Sequence, residues 1–169
     1  MSSIEAIIFD LDDTLVDTAQ IKQLRRRPWS ECYKYIPTKT FALFGEELSS
    51  IIEDKNLKLG IVTNSPRPYA TKVLSQHNIR YDGLICFHDS EKRKPYPDPL
   101  LKCSSNLGVS PENTVSIGDN INDIVATKRA GMIAVGVTWG ESTELELINA
   151  GSNFIISNPM ELIKIIKQL

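Results

Sequence analysis

Ile4-Glu5-Ala6-Ile7-Ile8-Phe9-Asp10-Leu11-Asp12-Asp13-Thr14 decides how this chain folds. Ala6, Ile7, Ile8 and Phe9 form an unbroken apolar run, the pattern of a strand covered on both faces rather than on one. Asp10 stands where that strand should end. Open α/β sheets place their ligand sites just outside the carboxyl ends of their parallel strands. Two carboxylates two residues apart at such a point suit a nucleophile, a general acid and a divalent cation sharing one site. Burying that much negative charge without a cation would be costly. An acidic surface turn gives a similar string, because Asp is a common turn residue, so the later motifs must separate the two readings.

Working outward, short β-rich runs recur at Leu57 to Val62, Gly83 to Phe87, Thr114 to Ile117, Ile133 to Thr138 and Phe154 to Ile156. Helical spacing of apolar residues appears between them, over Phe41 to Asp54, Pro68 to His77, Asp98 to Leu107, Asn120 to Ala130 and Pro159 to Gln168, with Gly108 and Gly131 as stops. Alternating strands and helices predict an α/β fold, a three-layer, Rossmann-like, doubly wound parallel sheet. The expected organisation is a single domain over 1–169 with a short basic and aromatic insertion at about 19–45.

With 41% hydrophobic and 24% charged residues the chain can build a core, and its formal net charge of -2 gives no global attraction to nucleic acid or anionic membrane. No apolar stretch is long enough to span a bilayer, and Met1 to Glu5 lacks the basic and apolar regions of a signal peptide. Cys32, Cys86 and Cys103, odd in number and without close spacing, read as reduced packing thiols of a cytoplasmic protein. His77 and His88 belong to no ligand-like cluster.

Four strand ends carry chemistry in order: Asp10-x-Asp12; Thr63-Asn64-Ser65, a hydroxyl and amides opening a helix; Arg93-Lys94-Pro95, a cation before a stiffened turn; and Gly118-Asp119 to Asp123, two carboxylates four apart. Taken singly, Thr63 to Ser65 is an ordinary helix cap, Lys94 a solvated lysine, and Asp119 and Asp123 acids favoured by a helix dipole. Together, each at its own strand end, they can converge on one crevice, and the free amides that open a helix after Thr63 attract phosphate.

These motifs, with Ala130-Gly131-Met132 and Val137-Thr138-Trp139-Gly140, resemble the haloacid dehalogenase superfamily, phosphatase branch, over nearly the whole chain. The resemblance implies that Asp10 is a nucleophile forming an aspartyl-phosphate and Asp12 a general acid and base. It implies Mg²⁺ bound by Asp10, the Asp12 carbonyl and Asp119, with Asp123 behind them. Thr63 and Lys94 complete the catalytic set by holding phosphoryl oxygens and neutralising charge, and Asn64, Thr14 and Arg67 are expected at the substrate. The presence of Asp12 argues against dehalogenation, which needs no acid there.

The spacing between motifs leaves little room for a cap, so an open site is expected. The resemblance implies that an open site goes with a macromolecular substrate, such as a nucleic-acid end or phosphoprotein, or with a homo-oligomer covering the crevice; the expected substrate is nonetheless a small phosphorylated molecule. The insertion carries Lys22, Arg25, Arg26, Arg27, Lys34 and Lys39 among Trp29, Tyr33, Tyr35, Phe41 and Phe44. Aromatics interleaved with cations suit a phosphorylated polymer, and equally an anionic small molecule whose carboxylate or phosphate pairs well with an Arg fork; the plainer alternative is a solvated flap whose rings pack on the core or on a subunit interface. A phosphate-binding module without turnover is the rival outside the enzymes.

Overall fold

The computed structural model describes residues 3–169; Met1 and Ser2, the start of the segment read for leader features, lie outside them. Six parallel strands form the central sheet: β1 (Ala6–Phe9), β4 (Lys58–Val62), β5 (Gly83–Ile85), β6 (Thr114–Gly118), β7 (Ile133–Val137) and β8 (Phe154–Ile156). Two further short strands, β2 (Val16–Asp17) and β3 (Phe41–Ala42), pair antiparallel beside it. The order across the large sheet is β5-β4-β1-β6-β7-β8. The chain winds outward from β1 through β4 to β5, then returns to β1's other side at β6. That reversal is a switch point of the kind at which doubly wound sheets bind ligands.

Register converts the topology into a site. Phe9 is level with Ile61 on one side and with Ile117 on the other, and the Asp10 amide still bonds the Ile117 carbonyl at 2.9 Å. Asp10 therefore emerges beside Thr63 and Asp119, which follow β4 and β6 directly. β1 is fully buried, as its unbroken apolar run requires.

Helices α2 (Glu46–Asp54), α3 (Arg67–Gln76), α4 (Asp98–Leu107), α5 (Ile121–Arg129), α6 (Glu144–Asn149) and α7 (Pro159–Gln168) cover the sheet. Two of them begin in full capping boxes, Asn120 with Asp123 and Thr143 with Glu146. Gly108 and Gly131 take left-handed φ values of 71° and 76° after α4 and α5, as predicted.

The insertion differs from expectation. Ala19–Leu24 forms a 3-10 turn and Trp29–Lys39 a helix, α1. The helix predicted over Phe41 to Asp54 starts only at Glu46, after Gly45. Its first residues are drawn into tertiary contacts instead: Ala42 pairs with Val16, the Leu43 amide bonds Leu15, and the Phe44 ring packs 5.1 Å from Phe9 and 6.0 Å from Trp139. Trp29 lies 5.4 Å from Tyr69. Most of the aromatics that suggested stacking on a polymer thus pack against the protein, although Tyr35 and Phe41 remain exposed. The three cysteines are buried free thiols.

One histidine takes part in holding α1. Thr40 gives its single hydroxyl proton to the Ile36 carbonyl at 2.6 Å, so His77 Nε2, 2.7 Å away, is the donor to Thr40. Burial holds the His77 pKa below its ordinary 6.5. The folded state therefore prefers neutral imidazole, and stability is lost as pH falls below 6.5, where the unfolded chain protonates first. In urea titrations between about pH 7 and pH 5.5, His77→Gln should lose stability less steeply than the parent. Parallel slopes would contradict it.

Candidate active site

The loop after β1 makes the site by turning sharply. The amides of Leu15 and Val16 both reach back to the Leu11 carbonyl at 3.1 Å, and Asp13 takes a left-handed φ of 60°, which Asp tolerates better than most residues. Asp10 and Asp12 leave this turn in different directions. Asp10 faces the mouth of the sheet, and its Oδ1 lies 2.9 Å from Lys94 Nζ. Lys94 Nζ also sits 2.7 Å from Asp123 Oδ1 and donates to the Val62 carbonyl at 2.9 Å. A lysine side chain only 4% exposed thus has three oxygen partners.

Carboxylate oxygens of Asp10, Asp119 and Asp123 all lie within 4.8 Å of one another. Burial, then the Asp123 carboxylate, push the Asp10 pKa well above the usual range, although Lys94 opposes them. Burial and Asp123 also raise Asp119, against the Glu141 amide and the Thr14 hydroxyl. Burial alone would lower the Lys94 pKa, but the carboxylates of Asp10 and Asp123 raise it above its ordinary value, so the ammonium persists. Three carboxylates against one ammonium leave two negative charges uncompensated, in an all-oxygen donor set. That is the charge and hardness a divalent cation such as Mg²⁺ would complete.

The other walls are built with equal economy. Asp123 Oδ2 accepts the Asn120 amide at 3.1 Å, so the carboxylate that caps α5 is the same one that meets Lys94. Thr63 Oγ1 accepts the Ser65 amide at 3.0 Å, leaving its own proton free for a ligand. Asn64 donates to the Lys94 carbonyl at 3.2 Å and so ties the second loop to the third. Asp119 Oδ2 accepts the Glu141 amide at 2.8 Å. Gly140 fits against Asp119 so closely that an added Cβ would lie 2.2 Å from its Cβ and Oδ2. Gly140→Ala should therefore displace Asp119, lowering turnover about tenfold or more and shrinking the rise in melting temperature produced by MgCl₂. A variant with the parent's response to MgCl₂ would refute this role.

Asp12 is held apart from the acidic cluster. Its Oδ1 accepts from Thr18 Oγ1 at 2.8 Å and from Tyr69 Oη at 2.6 Å. Its Oδ2 accepts from Ser65 Oγ at 2.7 Å and lies 3.0 Å from Arg25 Nη1. Burial and the adjacent carboxylate drive the Tyr69 pKa far up, so the phenol keeps its proton and remains a donor.

Asp10, Asp12, Thr63, Asn64, Lys94, Asp119 and Asp123 all line one cleft of about 220 Å³. Two expected site residues are placed otherwise. Arg67, expected at the substrate, turns away to bond the Asp89 carboxylate at 2.6 Å and the Leu84 carbonyl at 3.0 Å, because both lie beside the start of α3. Thr14, also expected there, is fully buried and gives its hydroxyl to Asp119 at 2.8 Å, with a longer approach of 3.3 Å to Asp10. It positions carboxylates and offers nothing to the cleft. Sequence reasoning missed Tyr69, Thr18 and the Ser65 hydroxyl as the holders of Asp12, and Glu141 as a wall. Arg25 stood out only as one cation of the insertion, with no signal to separate it from Arg26 and Arg27.

Comparison with known proteins adds ancestry to this geometry. A family model described as haloacid dehalogenase-like hydrolase matches residues 38–137, a span that holds Thr63, Lys94, Asp119 and Asp123 but begins after Asp10 and Asp12. Phosphoglycolate phosphatase of Escherichia coli (strain K12) is 32% identical over 134 residues, covering 77% of this chain and 53% of that protein. The enzyme of the same name from Salmonella paratyphi A is 31% identical over 153 residues, covering 88% and 58%. The chain thus spans little more than half the length of the curated relatives it matches. A hydrolase from Pseudomonas syringae superposes with a TM-score of 0.83 at 22% identity, over 98% of this chain and 99% of that one. A haloacid dehalogenase superfamily hydrolase from Ehrlichia chaffeensis gives 0.74 at 20% identity, over 100% and 98%. At such identities the structural likeness bears on the fold alone.

Proposed function

The chain belongs to the haloacid dehalogenase-like hydrolases, and from that premise we propose that it is a Mg²⁺-dependent phosphomonoesterase of small phosphorylated molecules with Asp10 as covalent nucleophile. The observation that carries the reading is the convergence of Asp10, Asp119 and Asp123 on one point, with Lys94 bridging two of them. Oxygens of these three residues would hold the cation. When bound it supplies charge stabilisation to the phosphoryl oxygens.

The remaining work falls to the side chains. The Thr63 hydroxyl and the Asn64 amide group face the cleft where the phosphoryl oxygens would sit, and Lys94 neutralises charge on nucleophile and phosphate together. An Asp10 carboxylate oxygen attacks phosphorus in line; the bond from phosphorus to the ester oxygen breaks, and that oxygen takes a proton from Asp12. Asp12 then removes a proton from the water that opens the aspartyl-phosphate. To reach the leaving oxygen Asp12 must leave the four donors that surround it.

A cleft of about 220 Å³ has room for a phosphoryl group and a few more atoms, enough to take a small ester. Phosphoglycolate, the substrate in the names of the matched relatives, is the first ester to try. No helix among the described residues is long and apolar enough to cross a membrane. The three buried free thiols fit a reducing compartment, and on that ground we place the protein in the cytoplasm. The test is phosphate release from an aryl phosphate and from phosphoglycolate, after chelation and after adding MgCl₂ back. Release should stop on chelation and return with MgCl₂; the absence of any metal-dependent release would overturn the proposal in favour of a binding module.

A further inference from the structure

Arg25 is the residue of the insertion that lines the cleft among the described residues. The 3-10 turn Ala19–Leu24, pinned through fully buried Ile21, delivers it there. Its side chain is 17% exposed, whereas the neighbouring Arg26 and Arg27 lie in solvent. A guanidinium has five N–H donors. Of these, Nη1 meets Asp12 Oδ2 at 3.0 Å, and Nε is buried with no acceptor at all. A buried donor left unmatched is costly, so the guanidinium is under-used by the protein's own groups. Its single partner is a carboxylate, and a planar fork pairs best with a carboxylate offering both oxygens. Asp12 cannot do so, because its oxygens are shared with Thr18, Tyr69 and Ser65.

We propose that Arg25 is a specificity-determining residue that receives a carboxylate of the substrate, one placed within a few bonds of the phosphate ester, and that this carboxylate replaces Asp12 on the guanidinium. The inference rests on the phosphatase reading and adds two things to it: the side chain of this chain that would select a carboxylate-bearing ester, and a reason for Asp12 to be tethered. Until an anionic substrate occupies Arg25, Asp12 stays with its four partners, away from the leaving oxygen. An ester without the second anion binds without dislodging it. Recognition of the anion then removes the one charged tether of Asp12 and leaves it only the Thr18, Tyr69 and Ser65 hydroxyls, so a neutral ester should suffer in kcat as well as in KM.

Three esters of nearly equal size test this on the full chain with MgCl₂: 2-phosphoglycolate, 2-phosphoethanol and phosphoethanolamine, which end in an anion, a neutral hydroxyl and a cation. The parent should prefer phosphoglycolate to phosphoethanol by about 10- to 100-fold in kcat/KM, with phosphoethanolamine poorest. Arg25→Ala should lose most of that preference, read as the ratio of kcat/KM for phosphoglycolate to that for phosphoethanol. Arg25→Lys, with the charge but not the fork, should recover part of it, and it carries the test if the alanine variant does not fold. Equal turnover of the three esters by the parent, or full preference surviving in folded Arg25→Ala and Arg25→Lys, would overturn the inference while leaving the phosphatase reading intact. Failure of the parent to hydrolyse any of the three would overturn the inference, and metal-dependent release from the aryl phosphate then decides whether the phosphatase reading falls with it. A preference for a bisphosphate over phosphoglycolate would overturn the choice of carboxylate.

Discussion

Asp10→Asn should lower phosphate release by about 10⁴-fold or more and, in metal-free buffer near neutral pH, leave the protein at least as heat-stable as the parent. The two halves of this result come from one structural fact. Asp10 is crowded by Asp123 and Asp119 in a desolvated mouth, so its ionised form is disfavoured in the folded state despite Lys94. A carboxylate whose folded pKa is raised costs stability as pH rises past its ordinary value, because the unfolded chain gives up its proton first. The neutral amide has nearly the same shape and carries none of that cost. It also cannot attack phosphorus, since its nitrogen and oxygen lack the carboxylate's charge. Lys94 still keeps Asp123 and the Val62 carbonyl in the variant. Phosphate release above about 1% of the parent rate would mean that Asp10 is not the nucleophile. A marked fall in metal-free melting temperature would mean that its charge is better compensated than the geometry implies.

Lys94→Met is expected to act in the opposite sense on stability. Removing one member of a buried ion pair costs about 3–5 kcal/mol, because the partner is left charged and desolvated. Here two carboxylates and a carbonyl lose their donor together. For a domain of this size that corresponds to a fall of about 10 °C in melting temperature. Turnover should fall about 10²-fold or more, since a fixed cation at developing charge is lost. MgCl₂ should recover more stability in Lys94→Met than in the parent, because the uncompensated charge is greater. Scanning calorimetry with and without MgCl₂ measures both quantities. Lys94→Arg should not restore activity, because the closed space around a side chain 4% exposed does not suit a planar fork. Equal stability of Lys94→Met and parent would show that Lys94 is not the charge that holds the carboxylates together.

Much of this architecture could be read from residues alone, and the reason is local. β1, β7 and the 59–62 part of β4 are covered on both faces, so their apolar runs are unbroken; β6 is buried throughout although it holds Thr114 and Ser116, and a polar residue follows each of the four. Register then brings those polar ends level without further information. The insertion was legible only in composition. Phe41 and Phe44 sit at helical spacing with residues of α2, but cross-chain contacts to Val16, Leu15, Phe9 and Trp139 outweigh it. Thr143-Glu144-Leu145-Glu146 did carry a cap signature for α6 that periodicity over so short a helix concealed. Thr14 and Arg67 lie off the cleft for a shared reason: sequence order shows which residues are near a motif, but not which way the backbone turns them. The left-handed Asp13 and the Asp89 carboxylate decide those directions.

The distances along the chain between the bonded partners have a last consequence. Thr14 meets Asp119 across 105 positions, Lys94 meets Asp10 across 84, and Ser65 meets Asp12 across 53. No short fragment of the polypeptide contains all of these partners, so the centre forms only when distant segments meet. Closing those long loops is slow and is rewarded only at the end of folding. Catalytic competence should therefore appear together with the last cooperative step of refolding, and nascent or locally unravelled molecules in a cell would leave phosphorylated metabolites untouched.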